Sequence, residues 1–78
     1  MEKQIKTKIK KYIFKNFYKG DLSDNVNLFE TGIINSFAML ELIIFCEKEF
    51  NIDISNLDFY SEFNNINKIS QYIYERNK

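Results

Sequence analysis

The chain has no histidine, no proline and no tryptophan, one cysteine (Cys46) and two glycines in 78 residues. Each shortage excludes something. Without histidine, no Ser-His-Asp or Cys-His arrangement can activate a nucleophile. A single cysteine without histidine leaves no ligand set for zinc or an iron–sulfur cluster. That cysteine cannot form an internal disulfide, and it fits a reducing, cytoplasmic setting. No apolar run approaches the roughly 20 residues that span a bilayer, so no membrane insertion is expected. The lysine-rich start is not followed by the continuous apolar segment of a secretory leader. There is no glycine-rich phosphate loop. Residues 21–32 match a calcium loop only loosely: Val26 stands where that loop needs Gly, and Gly32 where it needs Glu. The expectation is a chain that binds no metal and catalyses nothing alone. The scarcity of Pro and Gly makes helices the natural elements.

What is present points to one small globular domain, residues 1–78, with a marginal core. Hydrophobic residues make up 45% and aromatics 17%, with eight Phe and five Tyr supplying large buried area. Net charge is zero but unevenly spread: residues 1–20 carry +6, residues 21–62 carry −8 and residues 63–78 carry +2. The acidic centre implies basic partner surfaces and steers encounter more than it adds affinity. The basic start raises a rival reading, a nucleic-acid or membrane-surface module. That would need arginines or aromatics on the exposed side. The chain has one Arg, and its acidic middle opposes phosphate binding, so no nucleic-acid partner is expected.

Residues 3–18 read as a first helix, with Ile5, Ile9, Tyr12, Ile13 and Phe17 on one stripe and Phe14 at its edge. Lys19-Gly20 supplies a stop. Residues 21–35 form a long loop rich in Asp, Ser and Asn, anchored by Val26, Leu28, Phe29, Ile33 and Ile34. Such length is unusual in a small domain unless the loop has a task. Residues 51–54 form an extended connector. Ser55 or Asn56 caps a short helix over 57–61, with Leu57, Phe59 and Phe63 facing inward and Tyr60 assigned to neither side. Asn64-Asn65 marks a turn and a new cap. The last helix, 66–76, has Ile66, Ile69 and Ile73 on its core face, Tyr72 at its flank and Arg76 near its end. The result is an all-α domain of four helices, three long and one short.

The second helix, 36–50, organises the rest. At 100° per residue, Met39, Leu42, Ile43, Cys46 and Phe50 share a core face. The opposite face carries Phe37, Leu40, Glu41, Ile44, Glu47 and Lys48, with large apolar residues among the charges. Two readings stand: a central helix buried on both sides, or a docking surface with an apolar centre and charged rim. At the helix start, Asn35 is a good N-cap, and Gly32 allows a tight turn. Ser36 then lies among unpaired backbone N–H groups at the positive end of the helix dipole. Its hydroxyl is either part of the cap or a point where a phosphate ester would be favoured.

The stretch 28–50, LFETGIINSFAMLELIIFCEKEF, resembles the acyl and peptidyl carrier proteins. Their signature is an apolar residue, an acidic loop, Gly, two apolar residues, Asp-Ser-Leu and an acidic-apolar helix. Length and helix order extend the resemblance over essentially the whole chain. It implies a small four-helix bundle of the acyl-carrier-protein type, turning right in an up-down arrangement, with a short, mobile third helix. It implies that Ser36 takes 4′-phosphopantetheine from coenzyme A through a phosphopantetheinyl transferase. The arm's thiol would carry an acyl, glyceryl or aminoacyl group as a thioester. Loading, modifying and offloading enzymes would use it in making a polyketide, peptide or fatty-acid product. Asn35 would be a docking contact, as would Phe37, Leu40 and Ile44 as apolar ones and Glu41 and Glu47 as acidic ones, with Lys48 tuning partner choice. Asn35 replaces the usual Asp, and Phe37 the usual Leu. The Asn-Ser pair and EKEF look most similar to discrete carriers of specialised polyketide extender units, of the glyceryl and methoxymalonyl type. Size and the stretch FNNINKISQYI are similar to the D-alanyl carriers of teichoic acid modification. An unmodified helical interaction module is the remaining alternative. A monomer in the cytoplasm is expected.

Overall fold

The computed structural model describes residues 2–55 and 57–77, leaving aside the side chain of Glu2. The described residues form four helices: α1 (Glu2–Asn16), α2 (Ser36–Phe50), α3 (Phe59–Glu62) and α4 (Ile66–Arg76). This is the expected all-α bundle of three long helices and one short. α1 packs against α2 and, more extensively, against α4. The α1–α2 pairing is antiparallel, because Lys8 of α1 pairs with Glu49 while Tyr12, one turn on, stacks on Phe45, one turn back.

One apolar core joins every part of the chain. α1 contributes Ile5, Ile9 and Ile13; α2 contributes Met39, Leu42, Ile43 and Cys46; α4 contributes Ile66, Ile69 and Ile73. Leu28 and Ile34 enter from the long loop, Ile54 from the α2–α3 connector and Phe63 from the end of α3. The isoleucine stripes of α1 and α4 lie where helical periodicity puts them. Phe14 is 55% exposed, at the edge of its stripe. Phe45, beside the core stripe of α2, is half-buried, its ring 4.1 Å from that of Tyr12.

The bounds of α1 and α3 differ from expectation, and those of α2 and α4 match it. α1 ends at Asn16 rather than at residue 18, because the amides of Phe17 and Tyr18 both donate to the carbonyl of Ile13. Phe17 then meets Tyr12 edge-on, with centroids 5.6 Å apart. Gly20 is no left-handed stop. A Cβ there would meet the hydroxyl end of the exposed Tyr18 side chain at 2.6 Å, which would have to swing aside. α2 ends on Asn51, which takes the left-handed conformation (φ 55°, ψ 52°) and returns its N–H to Glu47 O. The third helix starts at Phe59 rather than at residue 57, with Asp58 before it. Of the two caps expected there, Ser55 precedes the helix by too far, and Asn56 lies outside the described residues.

The long loop is tied down at two places. Asp24 is clasped by α1, with Lys10 Nζ 2.5 Å from Oδ1 and Lys6 Nζ 3.5 Å from Oδ2. Its backbone carbonyl accepts the amide of Asn67 at the start of α4, and the side chains of Asn25 and Asn67 are hydrogen-bonded. Further along, Leu28 N–H donates to Asn64 O at 2.8 Å. The loosely calcium-like segment therefore uses its carboxylate on lysines. Among the described residues, no group of three or more potential ligands is placed to hold a metal.

The hydrogen bond from Lys10, with the charges of Lys10 and Lys6 and against the effect of burial, holds the Asp24 carboxyl below its ordinary value of 3.8. A carboxyl depressed in the folded state stabilises the fold above its ordinary value, and this contribution fades as pH falls through the folded value. The wild-type thermal midpoint, followed by circular dichroism, should therefore drop on acidification from about pH 5 to about pH 2. Asp24→Asn should melt lower at neutral pH and lose less over that interval. Parallel curves for the two proteins would remove Asp24 from the account.

Candidate functional site

The site begins with a turn. Asn27 Oδ1 accepts the amides of Phe29 and Glu30 at 3.0 and 2.9 Å, and Thr31 Oγ1 donates to Asn27 O at 2.8 Å. Gly32 reverses the chain at φ 78°, where a side chain would be strained even though nothing would crowd its Cβ. Ile34 N–H then returns to Leu28 O at 3.0 Å. Leu28 and Ile34 are almost wholly buried, on either side of this turn. With both inside, the next residues, Asn35 and Ser36, come out at the surface.

Asn35 caps α2 as its residue type predicts. Its backbone is extended (φ −94°, ψ −178°), and Oδ1 accepts the amide of Ala38 at 2.8 Å. Ser36 is the first residue of α2, and its side chain is exposed. The first amides of a helix have no partner within it. Those of Ser36 and Phe37 meet no acceptor among the described residues. No acidic residue stands in the first turn of α2. A hydroxyl is thus offered to solvent at the positive pole of a helix without a neighbouring carboxylate in that turn.

Tyr60 completes the site. Periodicity left it unassigned, since a four-residue helix gives no pattern to read. Its hydroxyl lies 2.6 Å from Ser36 Oγ, with either group able to donate. Its ring rests against that of Phe29, centroids 4.6 Å apart. Nothing local announces this contact, which joins residues 24 positions apart.

Below Ser36, the outer side of α2 is open. Phe37 is 71% exposed, Leu40 48% and Ile44 52%, with Glu41 and Lys48 also at the surface. α2 is therefore buried on one side, not both. Glu47 departs from this face: it is half-buried, and its Oε2 accepts the amide of Ile54 at 2.9 Å. That carboxylate fastens the α2–α3 connector, so Glu41 is the open acidic group of the face. A groove of about 490 Å³ lies beside Leu40, lined also by Ile43, Ile54, Ser55, Leu57, Asp58 and Phe59. Cys46, on the inner side, is fully buried, and burial, with the nearby charge of Glu47, pushes its thiol up to about 12. It is closed to chemistry at ordinary pH.

A small helical bundle that presents a hydroxyl at a helix mouth, above an exposed apolar face, has the form of a carrier. Among protein-family models, that of the phosphopantetheine attachment site matches residues 18–73, and the chain belongs to that family. Comparison with curated proteins finds no match. The family's prosthetic group is covalent 4′-phosphopantetheine, and its domains are in general non-catalytic carriers. The residues at the α2 mouth fit a phosphodiester. The cap side chain is a neutral amide, the first two helix amides are free of acceptors among the described residues, and no carboxylate stands in that turn.

Replacing Asn35 with Ala removes the Oδ1–Ala38 bond and should cost about 1 kcal/mol in urea unfolding. Asn35→Asp keeps an acceptor in place, adds a charge that suits the helix N-terminus, and should unfold no earlier than the wild type. Equal stability of the Ala variant and the wild type would show that the cap carries no weight.

Proposed function

We propose that Ser36 is the attachment residue and that residues 1–78 make up one discrete carrier domain. The observation that carries the reading is the exposed Ser36 hydroxyl on the first turn of α2, capped by a neutral Asn35. A phosphopantetheinyl transferase is the enzyme that would modify it, with coenzyme A as donor. When bound, the group supplies a thiol that holds cargo as a thioester. The chain's own residues present the hydroxyl, offer amides to the phosphodiester and dock partner enzymes. Phe37, Leu40 and Ile44 are the apolar docking contacts, with Glu41 and Lys48 at their rim and Asn35 at the mouth. Tethering gives the cargo a high effective concentration at each docked active site.

The partners are loading, modifying and offloading enzymes, and the domain itself is a monomeric, non-catalytic, cytoplasmic substrate of theirs. No helix among the described residues is long and apolar enough to cross a membrane. Nucleic acid is not a partner in this reading: Lys6 and Lys10 of the basic helix are engaged by Asp24, and Lys8 by Glu49.

For the cargo, the Asn35-Ser36 pair supports a carrier of specialised polyketide extender units, of the glyceryl or methoxymalonyl type. A D-alanyl carrier is the second reading, favoured by FNNINKISQYI. That stretch begins at Phe63 and contains Ile66, Ile69 and Ile73, all buried, so its likeness reflects core packing more than cargo.

Incubation of unmodified protein with coenzyme A and a broad-specificity transferase should add one pantetheinyl phosphate to the wild type and none to Ser36→Ala, read by intact mass. The two proteins should melt within a few tenths of a kcal/mol of each other, apart from what the Tyr60 contact contributes. Because Cys46 is closed, titration of native protein with a thiol reagent should find no reactive thiol before loading and one after. Loading of the alanine variant would overturn the assignment.

A further inference from the structure

Tyr60 meets the serine on which the proposed function rests, and α3 is otherwise held by apolar contacts: the Tyr60 ring on Phe29, the partly buried Phe59 and, just past its end, the buried Phe63. The four residues of α3 include none that is fully buried, and the Asp58 side chain makes no cap bond. Its other polar ties are internal or lead to the α4 side. Asp58 N–H donates to Glu62 Oε2, Asn64 Nδ2 to Tyr60 O, and Lys68 Nζ to Ser61 O. Among the described residues, the Ser36–Tyr60 bond is the polar link between α3 and the start of α2.

A hydroxyl can donate and accept, so two facing hydroxyls satisfy each other in either sense. When Ser36 is esterified, its Oγ exchanges its proton for phosphorus; the proton passes to solvent, and the nucleotide part of coenzyme A leaves. The bridging oxygen can then only accept. The anionic oxygens on the same phosphorus are stronger acceptors, and a hydrogen bond to a charged oxygen is about twice as strong as a neutral one. Tyr60 is positioned to donate there: its ring is braced on Phe29, and its hydroxyl already stands at Ser36 Oγ.

We propose that Tyr60 is a positioning residue that holds the free Ser36 hydroxyl before modification and the phosphodiester after it. Through Tyr60, α3 is coupled to the state of Ser36. This rests on Ser36 being the attachment residue, and the test separates the two.

Tyr60→Phe removes one oxygen from an exposed side chain and leaves the ring on Phe29. In the unmodified protein, it should speed exchange of the Glu62 and Phe63 amides about fivefold, the factor that corresponds to one ordinary hydrogen bond. Ser36→Ala should have the same effect, and the double variant should go no faster than either single one. After loading, verified by intact mass, the phosphorus-31 resonance of the Tyr60→Phe protein should shift from that of the wild type, and its α3 amides should stay fast. Failure of the wild type to load, or loading of Ser36→Ala, overturns both readings. Loading confined to Ser36, with phosphorus resonance and α3 exchange unchanged by Tyr60→Phe, overturns the role of Tyr60 alone.

Discussion

The burial of Leu28 and Ile34 is the constraint on which the rest of this structure depends. The two side chains lie in the core on either side of a turn that is closed by Asn27 and reversed at Gly32. With both fixed, Asn35 follows in an extended conformation at the surface and α2 starts at Ser36. The position of the hydroxyl thus follows from apolar packing, although the hydroxyl itself touches no part of the core. In a chain of this size, a single cluster of buried residues does both jobs, holding the bundle and aiming the loop.

The electrostatics follow the same division. Several charges of the helices and the long loop are paired or tied: Asp24 to Lys6 and Lys10, Lys8 to Glu49, Glu47 to the amide of Ile54. The first turn of α2 holds no acidic side chain, and its leading amides meet no acceptor among the described residues. The chain belongs to the phosphopantetheine-attachment family, and the proposed site at Ser36 is where this arrangement would meet the group's phosphodiester. A phosphodiester gains from free amides and from the helix dipole.

Most of the fold was legible because it rests on repetition or on strong local chemistry. Ile5, Ile9 and Ile13, and Ile66, Ile69 and Ile73, are stripes that only a helix explains. Asn35 and Asn65 mark helix starts and cap them through Oδ1 as expected. What escaped the sequence was tertiary. α1 stops early because the Phe17 and Tyr18 amides converge on one carbonyl. Glu47 reads as a surface charge until the connector folds back and lays the Ile54 amide on it. Tyr60 sits in a helix too short to have a face, and its partner is 24 residues away. The place of Ser36 at the start of α2 could be read from the sequence; its contact with Tyr60 could not.

Peptide mapping of the protein isolated from its native source tests the central claim most directly. After digestion, fragmentation of the peptide that contains Asn35 and Ser36 should release pantetheine and leave phosphate on Ser36. Pantetheine on another hydroxyl, such as Thr31 or Ser55, or a Ser36 that is bare in every molecule, would contradict the account.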